Sequence, residues 1–530
     1  MKPDFDVIVV GFGPVGATCT ALLGKLGVRT LVVERTRVVY DKPRAFALDH
    51  EVMRVFQSLG IAEDVMRYTA PFTPSEYYGV DGDLIRRLGS VPPPYPMGWP
   101  PNLVFTQPPV EALLRERAAA FPDVEVLLGT ELIALTQSAD AVTLQLRDDT
   151  GASRTVTARY VIGCDGASSA VRNITGMSYD DLGFDEPWLV VDVLVNDDSI
   201  ASLPQVSIQY CEPARPSTYL IGPGNHRRWE IMLLPGEDPA VMASAAQVWR
   251  LLSRWITPGD ATLWRMAAYR FHALVAREWR RDRVFIAGDA AHQQPPFTGQ
   301  GMCQGVRDVA NLCWKLQLAL RGRAGERLLD TYATERATHV RRYTTLIKDI
   351  GRLICERDPD AARARDRRLL AEAGGVVQTM PRQQLIPPLT SGFIARDAHG
   401  ANGTMFPQPR VRDGNTLALA PATVLLDSKS GTGFRIAVHG DFPLGALRRH
   451  DLITRLGATV VRFAAAAAAD AGASPHGYTV TECDGLVARW FEQHQCGAAV
   501  VRPDNIVYGV ATRAEGLDQQ LERISEYISA

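Results

Sequence analysis

The sequence is defined first by what it lacks. No apolar run reaches the roughly 18 residues that a membrane-spanning helix needs, so no membrane span is expected. The opening Met1-Lys2-Pro3-Asp4 has neither a basic stretch nor a long apolar stretch behind it, so no secretory leader is expected. The 8 cysteines (19, 164, 211, 303, 313, 355, 483 and 496) are scattered and form no C-x-x-C pair. That argues against a disulfide frame or a zinc site and for reduced thiols in a cytoplasmic protein. There is no basic run, and the formal net charge is −2, so no nucleic-acid partner is expected. There is no internal repeat at a fixed period. What is present is an ordinary globular mix, 46% hydrophobic and 22% charged. At 530 residues the chain is too long for one core, and two to four domains are expected.

The most informative stretch is FDVIVVGFGPVGATCTALLGKLGVRTLVVER, from Phe5 to Arg35. Val7 to Val10 reads as a buried parallel strand, Ala17 to about Leu26 as a helix, and Thr30 to Val33 as a second strand. Between strand and helix, Gly11-Phe12-Gly13-Pro14-Val15-Gly16 fits G-x-G-x-x-G. In such a unit the first glycine permits the tight turn and the second lets a pyrophosphate approach the backbone. The third lets helix and strand pack closely. Phosphates then sit on the positive end of the helix dipole. Glu34, with Arg35 beside it, lies 34 − 11 = 23 positions past the first glycine, where a carboxylate can accept a ribose hydroxyl. A dinucleotide-binding unit is therefore expected. No second G-x-G-x-x-G stands in such a context.

Further along, residues 70–104 are rich in proline and aromatics and read as irregular structure or an inserted lobe. Gln107-Pro108-Pro109 introduces a helix through Phe121. From Trp188 to about Leu234 the pattern becomes consecutive strands without helical crossovers, WLVVDVLV, QVSIQYC, STYLIG and RRWEIMLL, which implies an antiparallel or mixed sheet. RVFIA (283–287) is another buried strand, followed by a long helix after Gly301 with one apolar face. Residues 325–375 read as charged helix and 376–410 as a proline-rich linker. The tail reads as a small α/β domain whose alanine-rich 459–469 is either a strand end or a helix.

Three separated motifs, GFGPVG (11–16), CDGASSAVR (164–172) and VFIAGDAAHQQPPFTGQGMCQGVRDVANLCWKL (284–316), together resemble the class A FAD-dependent aromatic hydroxylases. Within these, PRA-x-x-[LI]-D (43–49), Gln107-Pro108, C-x-P-x-R-P (211–216) and V-R-P-D (501–504) are most similar to the 3-(3-hydroxyphenyl)propionate hydroxylases. The resemblance implies an α/β fold: a Rossmann-like FAD-binding domain (1–75, 105–180 and 270–350) with an inserted mixed-sheet substrate domain (76–104 and 181–269). A helical segment and linker (351–410) and a redox-inactive thioredoxin-like C-terminal domain (411–530) follow. It assigns Gly11, Gly13, Pro14, Val15, Gly16, Glu34, Arg35, Arg44, Gln107, Asp165, Gly166, Arg172, Gly288, Asp289, Pro296, Gly299, Gln300, Gly301 and Met302 to the cofactor. Asp289 reads either as a ligand of the flavin ribityl chain or as a helix cap. The free N–H groups of 299–302 suit the flavin edge that becomes negative on reduction. Pro295 and Pro296 both resemble the proline beside the reactive flavin carbon.

The resemblance implies reduction of FAD by NADPH or NADH, reaction with O2 to a flavin C4a-hydroperoxide, and transfer of one oxygen to an electron-rich ring. A phenol reacts best as phenolate, so a proton acceptor is expected. The candidates are Asp49, His50, Tyr210, Tyr219 and His292. Arg215, Tyr219 and Pro296 are candidates for holding the substrate, Arg215 for a carboxylate tail. The expected reaction is hydroxylation of a 3-hydroxyphenyl-alkanoate in aromatic breakdown. Alternatives are the same chemistry on an aromatic polyketide or antibiotic, and a flavin-binding protein or dehydrogenase without oxygenase activity. The expected partners are a small aromatic, O2 and a second copy of the chain.

Overall fold

A computed structural model describes residues 3–397, 399–413, 423–464 and 477–528. Its architecture follows from where the β-branched runs fall. Phe5–Val10 sits between Ser153–Gly163 and Thr30–Glu34, parallel to both. Val124–Leu128 extends that sheet on one side and Val284–Ile286 on the other, again parallel. Strands buried on both faces need apolar residues at successive positions, and Val7, Ile8, Val9, Leu31, Val32, Val161, Ile162, Val284 and Ile286 are all buried. The antiparallel pair Thr130–Gln137 and Val142–Asp148 attaches to the outer half of Ser153–Gly163. Helices Pro14–Lys25, Gln107–Ala119 and Gly301–Leu320 pack together over one face.

The second sheet is mixed and has nine strands among the described residues. Its centre is the long antiparallel pair Tyr179–Val195 and Ala261–Ala276. The second of these strands was not read from the sequence, because its arginines and tyrosine break the apolar pattern. His226–Met232, Ser217–Ile221 and Ser207–Tyr210 follow in order. The proline- and aromatic-rich stretch is only partly irregular: Ser75–Tyr78 and Leu84–Gly89 form a hairpin on this sheet. The stretch read as a linker is packed as well. Thr379–Pro381 pairs with Leu84–Gly89, and Phe393 is buried against Trp314 and Tyr508.

The C-terminal part has its own mixed sheet. Arg435–His439 runs parallel to Thr459–Phe463 and antiparallel to Ala498–Val501, which forms a hairpin with Val507–Ala511. Helices His450–Leu456, Leu486–Gln493 and Ala514–Ser525 accompany it, a layout consistent with the thioredoxin-like expectation. The alanine-rich stretch begins as strand Thr459–Phe463, and 465–469 lies outside the described residues. Cys483 is exposed, and neither it nor Cys496 is in a disulfide. Buried ion pairs fasten this part to the rest. Asp427 accepts from Arg54 at 2.8 and 3.0 Å and from Arg435 at 2.6 Å. Glu335 lies 2.8 Å from Arg502 and 3.0 Å from Lys315. Removing one partner of such a pair strands a buried charge, a loss of about 3–5 kcal/mol.

Candidate functional site

The glycine-rich turn forms one wall of a groove. Gly13 precedes helix Pro14–Lys25 with extended backbone, and Pro14 takes the first helical position, where no N–H is needed. A methyl group added at Gly16 would stand 1.9 Å from the Gly11 carbonyl oxygen, so helix and strand can approach this closely only without a side chain there. At Gly13 the same methyl would meet nothing within 4 Å. Packing therefore uses the space over Gly16 and leaves a hollow over Gly13, beside the unpaired N–H groups of the helix start.

Two acids flank this turn. The Glu34 carboxylate accepts the Phe12 N–H at 2.8 Å and the Thr36 N–H at 2.9 Å. Burial opposes its charge, but these bonds and the Thr36 hydroxyl outweigh it, and the carboxyl sits below its ordinary range. On the other side, Val15 touches Gly288: a Cβ on Gly288 would meet Val15 Cγ2 at 3.1 Å. Asp289 follows and is exposed in the groove. The dense packing around it pushes its carboxyl upward, tempered by His292 and Arg44.

The Gly288–Ala290 turn is braced from behind. Asp308 accepts the Gly288 N–H at 2.9 Å, lies 2.8 Å from His292 Nε2, and accepts Arg336 Nε at 2.8 Å. Arg172 donates to the Ala290 carbonyl at 3.1 Å and the Ala167 carbonyl at 2.9 Å. Asp165, whose carboxyl is raised by burial, accepts the Val171 N–H at 3.0 Å beside Gly166. The 164–172 motif thus acts here as a brace. Gln107 holds the 43–45 loop by accepting the Arg44 and Ala45 N–H groups at 3.2 and 2.6 Å. At the start of helix Gly301–Leu320, Gly299 takes a left-handed conformation and no side chain caps the first N–H groups. A methyl at Gly301 would meet nothing within 4 Å. Arg35 is exposed, and Met302 is partly exposed at the same helix start as Gly301.

The mixed sheet closes the site with one face. Trp188 and Phe271 bring their rings 5.6 and 6.1 Å from Phe297, which follows the partly exposed Pro296 and the buried Pro295. At the other end of that face, Arg228 donates to the Arg44 carbonyl at 2.9 Å and to Asp192 at 2.7 Å. His226 Nε2 lies 2.8 Å from Asp192, and Arg265 lies 3.6 Å from it. Alternation along His226–Met232 places Glu230 between these two anchors, on the face of Arg228 and Met232. Glu230 is 4% exposed, and among the described residues no hydrogen bond or ion pair reaches its carboxyl. Burial, with Arg228 pulling the other way, leaves its carboxyl pushed up to about 7. Burial lowers the His226 imidazole, whereas Asp192 stays below its ordinary value because Arg228 and His226 outweigh its own burial.

Several residues singled out in the sequence fall elsewhere. Tyr219 pairs across strands with Trp229, its ring 5.0 Å away, and its hydroxyl reaches the Pro204 carbonyl. Tyr210 accepts from Trp255 at 3.1 Å. Both tyrosines pack on the far face of the sheet, with Val248 and Leu252 of helix Ala245–Leu252, so neither is placed to act as proton acceptor and Tyr219 is not placed to hold substrate. Arg215 is held by both carboxylate oxygens of Glu237, at 2.9 and 2.7 Å, and is not free for a substrate carboxylate. His292 is buried behind the Gly288 turn under Trp279. Asp49 caps helix His50–Leu59 and pairs with Arg307 at 2.5 Å. His50 lines a separate cavity. Glu230, Asp192, His226, Arg228 and Arg265 were missed. For His226, Arg228 and Glu230 the signal was an ionisable residue at every second position of a strand that is otherwise apolar from Trp229 onward.

A family model described as an FAD binding domain matches residues 4–346, and one described as the HcaD C-terminal domain matches 403–526. A probable NADH-specific resorcinol 4-hydroxylase of Rhodococcus jostii (strain RHA1) is 37% identical, covering 97% of this chain and 93% of that protein. A 3-(3-hydroxy-phenyl)propionate/3-hydroxycinnamic acid hydroxylase of Mycobacterium sp. (strain JLS) is 35% identical, covering 96% of this chain and 90% of that one. The crystal structure of the flavin-dependent monooxygenase PieE with FAD and substrate superposes with a TM-score of 0.80 at 22% identity, covering 99% of both chains, a likeness of fold.

Proposed function

This chain belongs to the FAD-dependent aromatic hydroxylases, and from that premise we propose that it hydroxylates an uncharged phenol at the expense of NADH and O2. When bound, FAD supplies the redox and oxygen-activating chemistry. The residues of the groove fit it. The hollow over Gly13 suits the pyrophosphate, Glu34 the ribose, Asp289 the ribityl chain, and the open N–H groups at 301–302 the ring edge that gains charge on reduction. Gln107 and Arg228 both position the 43–45 loop, the first through its N–H groups and the second through the Arg44 carbonyl. Arg172 and His292 act at one remove, by fixing the turn that carries Asp289.

The observation that carries the substrate reading is Glu230. It is a buried carboxylate without a partner, between the loop at 43–45 and Phe297. A phenolic hydroxyl would donate to it, and near neutral pH Glu230 can take the proton and leave the ring as the more reactive phenolate. Arg228 and Arg265 on the same face are both engaged by Asp192, and a carboxylate tail beside Glu230 would meet a like charge. A second reading, a 3-hydroxyphenyl-alkanoate, is favoured by the name of the 35%-identical relative. The test is to purify the yellow protein and follow NADH consumption with resorcinol and with 3-(3-hydroxyphenyl)propionate, identifying products. Hydroxylation of resorcinol alone supports the first reading and of the propionate alone the second. Peroxide release with no product from either would overturn both.

A further inference from the structure

A cavity of about 450 Å³ lies away from the flavin groove, between helices His50–Leu59 and Gly301–Leu320, the 381–389 segment and the 503–506 turn of the C-terminal part. Its volume falls within the roughly 300–1,000 Å³ of small-molecule sites. None of the groove residues Gly13, Glu34, Asp289 or Gly301 lines it.

The chemistry of its wall is selective. Most of the lining is apolar, with Val55, Val306, Ala310, Ile386 and Met405 among the contributors. Its charged residues are largely spent on internal partners: Arg54 on Asp427, Arg307 on Asp49 and Glu51, Arg336 on Asp308, and Asp504 on Arg502. Lys25 stands at the exposed rim and donates to the Ser58 carbonyl at 2.5 Å. Against this, three lining residues carry buried polar atoms with no partner: His50 Nδ1, Trp314 Nε1 and Gln383 Oε1. His50 is only 6% exposed, its ring makes no hydrogen bond among the described residues, and burial lowers its pKa against the pull of Asp49 and Glu51. Native interiors seldom leave buried polar groups unpaired unless water or a ligand completes them.

We propose that this interdomain cavity binds an uncharged hydroxyaromatic molecule, its rings against the apolar wall and its hydroxyl on the unpaired His50 and Gln383. Among the described residues an ionised ligand would find no unpaired buried charge to meet it, and a purely apolar one would leave the imidazole unsatisfied. The assignment stands on the cavity alone and does not depend on which phenol is hydroxylated.

The test uses the full-length holoenzyme and 6-bromo-2-naphthol. Crystals soaked with the probe should show an anomalous bromine peak in the cavity. Equilibrium dialysis should find one more equivalent bound by the wild type than by Ala310→Phe, whose ring fills the cavity, with flavin content equal in the two. Val55→Phe fills it from the opposite helix and should give the same loss if Ala310→Phe folds poorly. A cavity without bromine overturns the proposal, and so does equal stoichiometry in wild type and a folded filled variant.

Discussion

Gly13→Ala separates the cofactor role of the glycine turn from its role in folding. Gly13 has φ −66° and ψ −176°, a conformation any residue adopts, and an added methyl meets nothing within 4 Å. The substitution should therefore leave the flavin-free protein as stable as before, or stabilise it by about 0.4–1 kcal/mol by narrowing the unfolded ensemble. That methyl occupies the hollow through which a pyrophosphate would reach the helix-start N–H groups. Losing one charge-assisted hydrogen bond is worth roughly 1.5–3 kcal/mol, so FAD should bind about 10- to 150-fold more weakly. Gly16→Ala is the control: its methyl would stand 1.9 Å from the Gly11 carbonyl oxygen, and this variant should lose stability even without cofactor. Flavin fluorescence titration measures the first effect and thermal unfolding of the deflavinated proteins the second. If Gly13→Ala kept wild-type FAD affinity, or destabilised the flavin-free protein as much as Gly16→Ala, the reasoning would fail.

Glu34→Lys removes the acceptor of the Phe12 and Thr36 N–H groups and sets a cation beside the turn, so FAD should be lost on gel filtration; retention at wild-type stoichiometry would deny Glu34 its ribose role. Glu230→Gln should bind flavin normally and slow phenol hydroxylation by about 100-fold or more. The wild-type rate should rise with pH through about 7 as Glu230 ionises, and the variant should lose that limb; an unchanged pH profile would exclude Glu230 as the acceptor. Glu335 and Asp427 are each pushed down to about 2, since their arginine partners outweigh burial, from ordinary values of 4.5 and 3.8. Their contribution to stability is complete above those ordinary values and is lost as pH falls from about 4.5 toward 2. Thermal scans across that range should show wild-type stability falling steeply, and Glu335→Gln should flatten the fall.

The first βαβ unit was legible because every requirement of it is local. The strand needs a β-branched run, the turn needs a glycine at Gly16, and the acid must come one strand later. The helix start at 299–302 was legible for the same reason. What stayed hidden depends on which face of a strand meets which neighbour. Tyr210 and Tyr219 have the chemistry of a phenol-binding site, yet alternation turns them toward Trp255 and Trp229. Glu230, one residue from Trp229, turns the other way. Both faces of that sheet are covered, so burial alone does not mark the functional one. The strand Ala261–Ala276 was hidden by Arg265, Tyr269 and Arg270. Arg215 looked free because Glu237, the partner that neutralises it, lies beyond the intervening hairpin.

The most direct test of the whole account is hydroxylation under 18O2 with NADH and resorcinol, the product read by mass spectrometry. One labelled oxygen per new hydroxyl and one NADH consumed per product are expected, in protein carrying one FAD per chain. An unlabelled product, or turnover by protein free of flavin, would contradict the account.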